Sequence, residues 1–408
     1  MDVLLPWELW MVILDRPELE GLSGILRMVC KVWRDYLRDR TQTSKFETIK
    51  MPNLLNFSIC KLGYKREWVS PLIAKHGSLE MLQRCRCHLH DETVNEAARR
   101  GDLIMLRWLV EDMGCRVTSE TFASAASNGS ISCLEFLNRQ GTCRMTSSVY
   151  TSAARAGHIH VLYWARRNRC RWKSDLLSAA AGNGHLNIVI WAHENRCPWS
   201  ARVCPSAARG NHFEILKWCV QNGAPLNVHT TSIAAAASGN LEMLLWVTQE
   251  PPDIALEEAA KYGHLHLLEF FKRPPTMQMT LNAIQNGHLD VLEWCYLQGF
   301  NLEEKHCEVT ASHNQLEILK WLREKGAPWE DRTLQQAFQR GFFELVKWAA
   351  GNGYPRSKCA IQDAIYNGRF DMIKWVIDND FPRPDHIYPP IGLPILSKWL
   401  REQGFTYR

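Results

Sequence analysis

Residues 201–227 read ARVCPSAARGNHFEILKWCVQNGAPLN, and the order of events along them sets the fold. Arg202 to Arg209 forms a short helical stretch whose paired alanines, Ala207 and Ala208, permit close packing. Gly210 and Asn211 interrupt it, because Gly tolerates positive φ and both residues favour turns. A second helix then carries Phe213, Ile215, Leu216, Trp218, Cys219 and Val220 as an apolar stripe, with Glu214, Lys217 and Gln221 outward. Asn222-Gly223 closes that helix with a left-handed cap, and Pro225 prevents its restart.

The same grammar recurs on both sides of this stretch, as SAARAGHIHVLYWA (152–165), AAAGNGHLNIVIWA (179–192), IQNGHLDVLEWC (284–295) and FQRGFFELVKWA (338–349). Aligning on the Gly or Asn that precedes the second helix gives register positions 77, 101, 129, 157, 184, 211, 239, 263, 287, 314, 341, 368 and 392. A Trp lies seven residues after ten of them, at 108, 164, 191, 218, 246, 294, 321, 348, 375 and 399, with Phe136 and Phe270 in two others. A period of 24–28 residues means stacked supersecondary units, each gripping only its neighbours. The fold class expected is therefore all-α, a helix-pair solenoid. Each register Trp sits on the apolar stripe and is expected to be core, worth several kcal/mol per unit at about 25 cal/mol per Å² of buried surface.

Bulk properties agree. A solenoid accommodates 408 residues without splitting into separate globular cores, and a hydrophobic content of 46% supplies a continuous one. A formal charge of +5 is weakly basic and gives no strong signal for nucleic acid or membrane. The start MDVLLPWELW carries Asp2 and Glu8 where a secretory leader needs cations, so a soluble chain is expected, cytoplasmic with the nucleus as a second compartment. Four of the fourteen cysteines, Cys115, Cys143, Cys170 and Cys197, share one repeat position. Units about 8–10 Å apart exceed the reach of a disulfide, so these are expected as free thiols filling a small buried slot.

The run "AA-x-x-G-H-L-x-[IV]-[VL]-x-[WL]" followed by "N-G-[AC]" resembles the ankyrin repeat, over residues 71–408, in about 12–13 units. Gly101, Gly157, Gly184, Gly263 and Gly287, with His158, His185, His264 and His288, match that family's Gly-His step. Ankyrin units are longer and carry a TPLH turn, of which little remains here beyond Thr121 and Thr333. The missing residues fall in the hairpin finger between units, and Trp replaces the usual Leu. This compact, Trp-rich variety is similar to ankyrin proteins encoded by giant DNA viruses of amoebae, which would place the chain in a host-cell cytoplasm.

Residues 1–40 do not fit the repeat, and 41–70 read as a connector broken at Met51-Pro52-Asn53. LLPWELWMVILDRPELEGLSGILRMVCKVWRDYL (4–37) holds short amphipathic helices with more apolar surface than so small a piece can bury. It resembles the F-box, "LPxELxxxIL…L…xxVCKxWR", a three-helix segment that docks the adaptor subunit of cullin–RING ubiquitin ligases. The resemblance implies that Leu5, Pro6, Glu8, Leu9, Ile13, Leu14, Leu22, Val29, Cys30 and Trp33 bind that adaptor.

Other chemistry reads as structural. Cys85-Arg86-Cys87-His88-Leu89-His90 lacks the distant second pair of a zinc site. The histidines of Gly157-His158-Ile159-His160 and His264-Leu265-His266 recur at helix starts, where polar contacts across units are expected. Arg166, Arg167, Arg169, Arg171 and Lys173 read as a solvated helix end, where cations complement the dipole. No nucleotide, hydrolase or metalloprotease motif is present, so no enzyme, metal or cofactor is expected. The expected function is substrate recognition for an SCF-type ubiquitin ligase: the chain is a monomer that binds the adaptor and an unknown target protein, with no nucleic acid and no membrane as partner. The target is expected to lie across first helices and inter-unit turns. The alternative is a scaffold that sequesters a host protein without recruiting a ligase.

Overall fold

The computed structural model describes residues 69–76, 79–84, 89–141, 143–330, 333–354, 356–367, 370–388 and 394–406. The F-box-like segment and all ten residues assigned to adaptor binding lie outside the described residues, as do Cys85, Cys87 and His88. The chain divides into two compact units, residues 1–153 with 160–171, and residues 154–159 with 172–408.

Described helices of the first unit begin with α1 (Val69–His76), α2 (Leu79–Arg84), α3 (Asp91–Arg100) and α4 (Leu103–Arg107), the last continuing as a π turn over Trp108–Asp112. α5 (Ser119–Asn128) and α6 (Ile131–Gln140) follow. The division falls within α7 (Ser148–Ala156) and at the first residue of α8 (Ile159–Arg167). The second unit holds α9 (Asp175–Gly182), α10 (Leu186–Glu194), α11 (Val203–Arg209), α12 (Phe213–Gln221), α13 (Val228–Ala237) and α14 (Leu241–Val247). It continues with α15 (Asp253–Lys261), α16 (Leu265–Phe271), α17 (Met277–Asn286), α18 (Leu289–Leu297), α19 (Glu304–Ser312) and α20 (Leu316–Glu324). α21 (Gln335–Arg340), α22 (Phe343–Gly351), α23 (Cys359–Asn367), α24 (Phe370–Asp378) and α25 (Pro394–Glu402) complete it. No strand occurs among the described residues. Within each unit, neighbouring helix pairs stack as in a helical-repeat solenoid, which is the fold class the period required.

First helices form the spine. In the second unit α9, α11, α13, α15, α17 and α19 pack in succession, and in the first unit α1, α3 and α5 do the same. Their alanine pairs, Ala97-Ala98, Ala125-Ala126, Ala180-Ala181, Ala207-Ala208 and Ala259-Ala260, are completely buried. A methyl group is the largest side chain that lets helices approach on two opposite faces at once, so the spine is an alanine structure rather than a leucine one.

Second helices bury one stripe only. Counting from the register Trp, the buried positions lie three and two residues before it and one after: Ile188, Val189 and Ala192 around Trp191, or Ile215, Leu216 and Cys219 around Trp218. At 3.6 residues per turn the Trp lies about 100° from the centre of that stripe. The expectation of a Trp core is corrected accordingly. Trp191 is 6% exposed and Trp246 is 42% exposed, and the other register tryptophans are half-buried flanks of the core.

The cysteine expectation is also corrected. Cys115, Cys143 and Cys170 are half-buried at the turns, and Cys197 alone of the four is buried. Rather than filling a slot, the Cys170 thiol faces the Thr146 carbonyl at 3.4 Å and the Cys197 thiol faces that of Lys173 at 3.9 Å, each one turn back. All described cysteines are free.

The Gly-His step is the joint between successive helix pairs of the second unit. Gly157, Gly184, Gly239 and Gly263 all have φ between 73° and 84°, ending the first helix in the left-handed region. A Cβ on them would stand within about 2.7 Å of the imidazole of His185, His212, His264 and His288 respectively, one unit further on. Three of these rings also bond a carbonyl two residues before that Gly: His185 Nε2 to Arg155 O at 3.1 Å, His264 to Ala237 O at 3.0 Å, His288 to Lys261 O at 3.0 Å. Gly210 serves otherwise than expected. Its φ is −76°, Asn211 takes the positive φ of 60°, and Gly210 is bare because a Cβ would collide with Gly182 O.

Gly239→Ala should therefore cost about 2–4 kcal/mol, from left-handed strain plus the displaced His264 bond. Gly223→Ala, at φ +85° but with nothing within 4 Å of the added methyl, should cost only about 1–2 kcal/mol. Thermal melts of the two variants give the comparison, and equal losses would dissolve the role assigned to the imidazole seat.

Candidate functional site

Outward faces, not a pocket, are what this architecture offers. First helices are packed against both neighbours, which leaves them less free surface than the second helices. Most of the exposed large apolar side chains lie instead on second helices: Ile104, Tyr163, Trp246, Phe270, Tyr296, Leu297 and Phe370.

A recurrent surface chemistry covers these helices in the second unit. On α12, α20 and α22 a carboxylate at the second helical position pairs with a lysine just before the Trp: Glu214–Lys217 at 2.6 Å, Glu317–Lys320 at 2.7 Å, Glu344–Lys347 at 3.1 Å. Two of these ammonium groups also sit over aromatic faces, Lys217 at 4.3 Å from the Phe213 centroid and Lys347 at 4.1 Å from that of Phe343. Phe213 meets Trp246 edge-on at 5.8 Å, and Phe343 meets Trp375 at 5.7 Å, so the aromatic contacts run from one pair to the next. Turn tryptophans lap the column as well, Trp172 on Trp191 at 5.7 Å and Trp329 on Trp348 at 6.3 Å. Helices α10, α12, α22 and α24 are closed by an asparagine four residues after the Trp. Asn195, Asn222, Asn352 and Asn379 donate to the carbonyls of Trp191, Trp218, Trp348 and Trp375 at 2.7–2.8 Å.

Histidines other than the seats behave as expected from the sequence. His160 Nε2 bonds Gly129 O at 2.9 Å and His266 Nε2 bonds Gly239 O at 2.8 Å, both across units. His90 caps α3, its Nδ1 accepting from Glu92 N at 3.3 Å. Arg166, Arg167, Arg169, Arg171 and Lys173 are all exposed. In the first unit a groove of about 590 Å³ runs between successive turns, lined by Val110, Cys115, Arg116, Thr118, Gln140 and Cys143. Among the described residues no group of three His, Cys, Asp or Glu side chains assembles. No described helix is long and apolar enough to cross a membrane.

One imidazole is sealed inside the second unit. His306 is completely buried, and burial lowers its pKa below the ordinary 6.5 against a smaller opposing pull from Glu303. The Glu303 amide donates to His306 Nδ1 at 3.0 Å, so the neutral ring carries its proton on Nε2 and donates to Thr280 Oγ1 at 3.0 Å. Thr280 in turn donates to Met277 O at 2.8 Å. The chain of donors is complete with the imidazole neutral, and it stitches α17 to α19.

No protein-family model matches the sequence, and no curated protein matches it. Solved structures similar to it include the maize pentatricopeptide repeat protein PPR10, at 13% identity and a TM-score of 0.33, over 82% of this chain and 57% of that one. PPR10 in complex with an 18-nt psaJ RNA element is similar at 13% identity and a TM-score of 0.32, over 98% of this chain and 63% of that one, and a triple cysteine-to-serine variant of that complex gives the same values. The chain spans about three-fifths of the length of these proteins. These RNA complexes correct the expectation that excluded nucleic acid as a partner. Weak net charge and absent motifs were its only grounds, and neither bears on what a helical-repeat face can hold.

For His306 the sign of the pH dependence follows from the lowered pKa. Below about pH 6.5 the unfolded chain takes up a proton that the folded chain resists, so its contribution to stability is present above that pH and lost as pH falls. Melting temperatures compared at pH 7.5 and 5.5 should fall for the parent chain and fall less for His306→Gln. An equal slope in both would remove His306 from the account.

Proposed function

We propose that the chain is a non-catalytic recognition scaffold, and specifically the substrate-recognition subunit of a cullin–RING (SCF-type) ubiquitin ligase. The supporting observation is the joining, in one chain, of an F-box-like segment with stacked helix pairs whose second-helix faces carry exposed aromatic side chains. On this reading Leu5, Pro6, Leu9, Ile13, Leu14 and Leu22 dock the adaptor, and the repeat array holds a target protein. The chain transfers nothing itself. It raises the effective concentration of target lysines beside a ubiquitin-charged enzyme, the form of rate enhancement that needs positioning alone. Free cysteines throughout the described residues suit a reducing compartment such as the cytoplasm.

Affinity purification of the full chain from eukaryotic cells should recover the ligase adaptor subunit, and Leu5→Ala/Pro6→Ala should reduce that recovery at least tenfold. The far-UV circular dichroism of the double variant should match the parent, since the substituted residues precede the repeats. Failure of the parent chain to recover the adaptor would leave a binding scaffold without ligase recruitment, and recovery that survives the double substitution would remove Leu5 and Pro6 from the docking surface.

A further inference from the structure

Three consecutive second helices break the surface pattern of their neighbours. At the place held by Lys217, Lys320 and Lys347, helices α14, α16 and α18 carry Leu245, Glu269 and Glu293. The carboxylates Glu242, Glu269, Asp290 and Glu293 are all exposed, and these three helices contain no lysine or arginine with which to pair them. Lys272, at the C-cap of α16, is the nearest following cation in the chain, while Arg273 is engaged by Asp253 at 2.8 Å.

The lapping turn tryptophan is missing at the same rungs, although Phe213 still meets Trp246 and Tyr296 of α18 meets Trp321. α14 and α16 have seven residues where α12, α18, α20 and α22 have nine, and both lead into Pro-Pro turns, Pro251-Pro252 and Pro274-Pro275. The shortened turn before α16's pair supplies no counterpart to the lapping Trp172, Trp199 or Trp329, and the turn before α14's pair has Leu226 there. Trp246 is left 42% exposed and Phe270 52% exposed, and Leu297 at the end of α18 is 78% exposed. Between the turns that follow α16 and α18 lies a groove of about 320 Å³, lined by Pro274, Pro275, Gln298, Phe300, Asn301 and Glu303.

On α12 and α22 one ammonium both neutralises the carboxylate and caps an aromatic face, and on α20 Lys320 neutralises Glu317. We propose that α14, α16 and α18 form a docking face for an extended, cation-rich segment of a partner protein, whose Arg or Lys side chains take the places that lysines of the chain itself fill on α12, α20 and α22. This rests on the reading of the repeats as a protein-recognition scaffold and names the chemistry of what they recognise. Charge complementarity selects the occupant. Four exposed carboxylates repel a phosphodiester backbone and attract guanidinium or ammonium groups, and exposed Trp and Phe faces add cation–π attraction. Rungs about 10 Å apart correspond to about three residues of extended chain, so cations at every third position match the three helices.

The test is fluorescence anisotropy of the full chain with a labelled repeating Arg-Ser-Gly peptide, its Glu-Ser-Gly counterpart, and labelled oligouridylate. Arg-Ser-Gly should bind, more weakly as salt rises, and the other two should not. Glu269→Lys/Glu293→Lys installs the lysines of the flanking rungs, so the chain should melt as the parent does while its affinity for Arg-Ser-Gly falls about tenfold or more. Absence of Arg-Ser-Gly binding, unchanged affinity in the double variant, or preference for oligouridylate would overturn the proposal. Adaptor recovery through residues 1–40 is measured separately in the same double variant, so a failure of this face is distinguishable from a failure of the ligase reading.

Discussion

Seating an imidazole on a bare glycine is the contact on which the stack of the second unit depends. A helix end leaves its last carbonyls without intrahelical partners, and a left-handed cap answers only part of that need. Here the next unit supplies the rest. His185, His264 and His288 reach back to the carbonyls of Arg155, Ala237 and Lys261, and their rings occupy the volume a Cβ would take on Gly157, Gly239 and Gly263. One interaction thus fixes the spacing, the register and the satisfaction of a backbone group together. Where its parts change, they change in company. Asn211 stands in place of Gly, and the following unit offers Asn240, whose amide donates to Asn211 Oδ1 at 2.8 Å. Phe342 stands in place of His, and Arg340 takes over by donating to Ser312 O at 2.9 Å.

Division of labour between the two helices of each pair follows from that spacing. Alanine-rich first helices can be approached from both sides and form the spine, which leaves them little free surface. Second helices need bury only a narrow stripe, so two-thirds of their circumference is available for surface chemistry. The register Trp sits at the edge between these regimes. It seals the core margin and is itself covered from outside by turn tryptophans, phenylalanines of the neighbouring pair and the Glu–Lys couples. The helix α14 and its two successors differ from their neighbours chiefly in the cover they lack.

How much of this was legible in the chain can be judged residue by residue. The spacing of Gly and Trp displays the period, and the alanine pairs and Asn-Gly stops display both helices of each unit. Contacts across units were legible for the histidines, because a polar side chain recurring at a helix start must find a recurring partner. Local sequence suggests conformational freedom as the reason for Gly210, yet the residue is needed for clearance from a carbonyl 28 residues earlier (182 to 210), a demand invisible locally. The apolar character of the tryptophans suggests core, and the same pattern of residues is equally compatible with a flank.

Sequence by itself determined the helix pairs, their stops and the repeat, since each arises from interactions within a few residues or from simple recurrence. Which face of a second helix points inward was decided only by the tertiary structure, because it depends on partners 24–31 residues away, such as Gly129 beneath His160 and Thr146 opposite Cys170. A stripe of helical period fixes that a helix has an inside. Only the neighbouring pairs, pressed to the distance their alanines and glycines allow, fix where that inside begins and where Trp246 and Phe270 are left facing water.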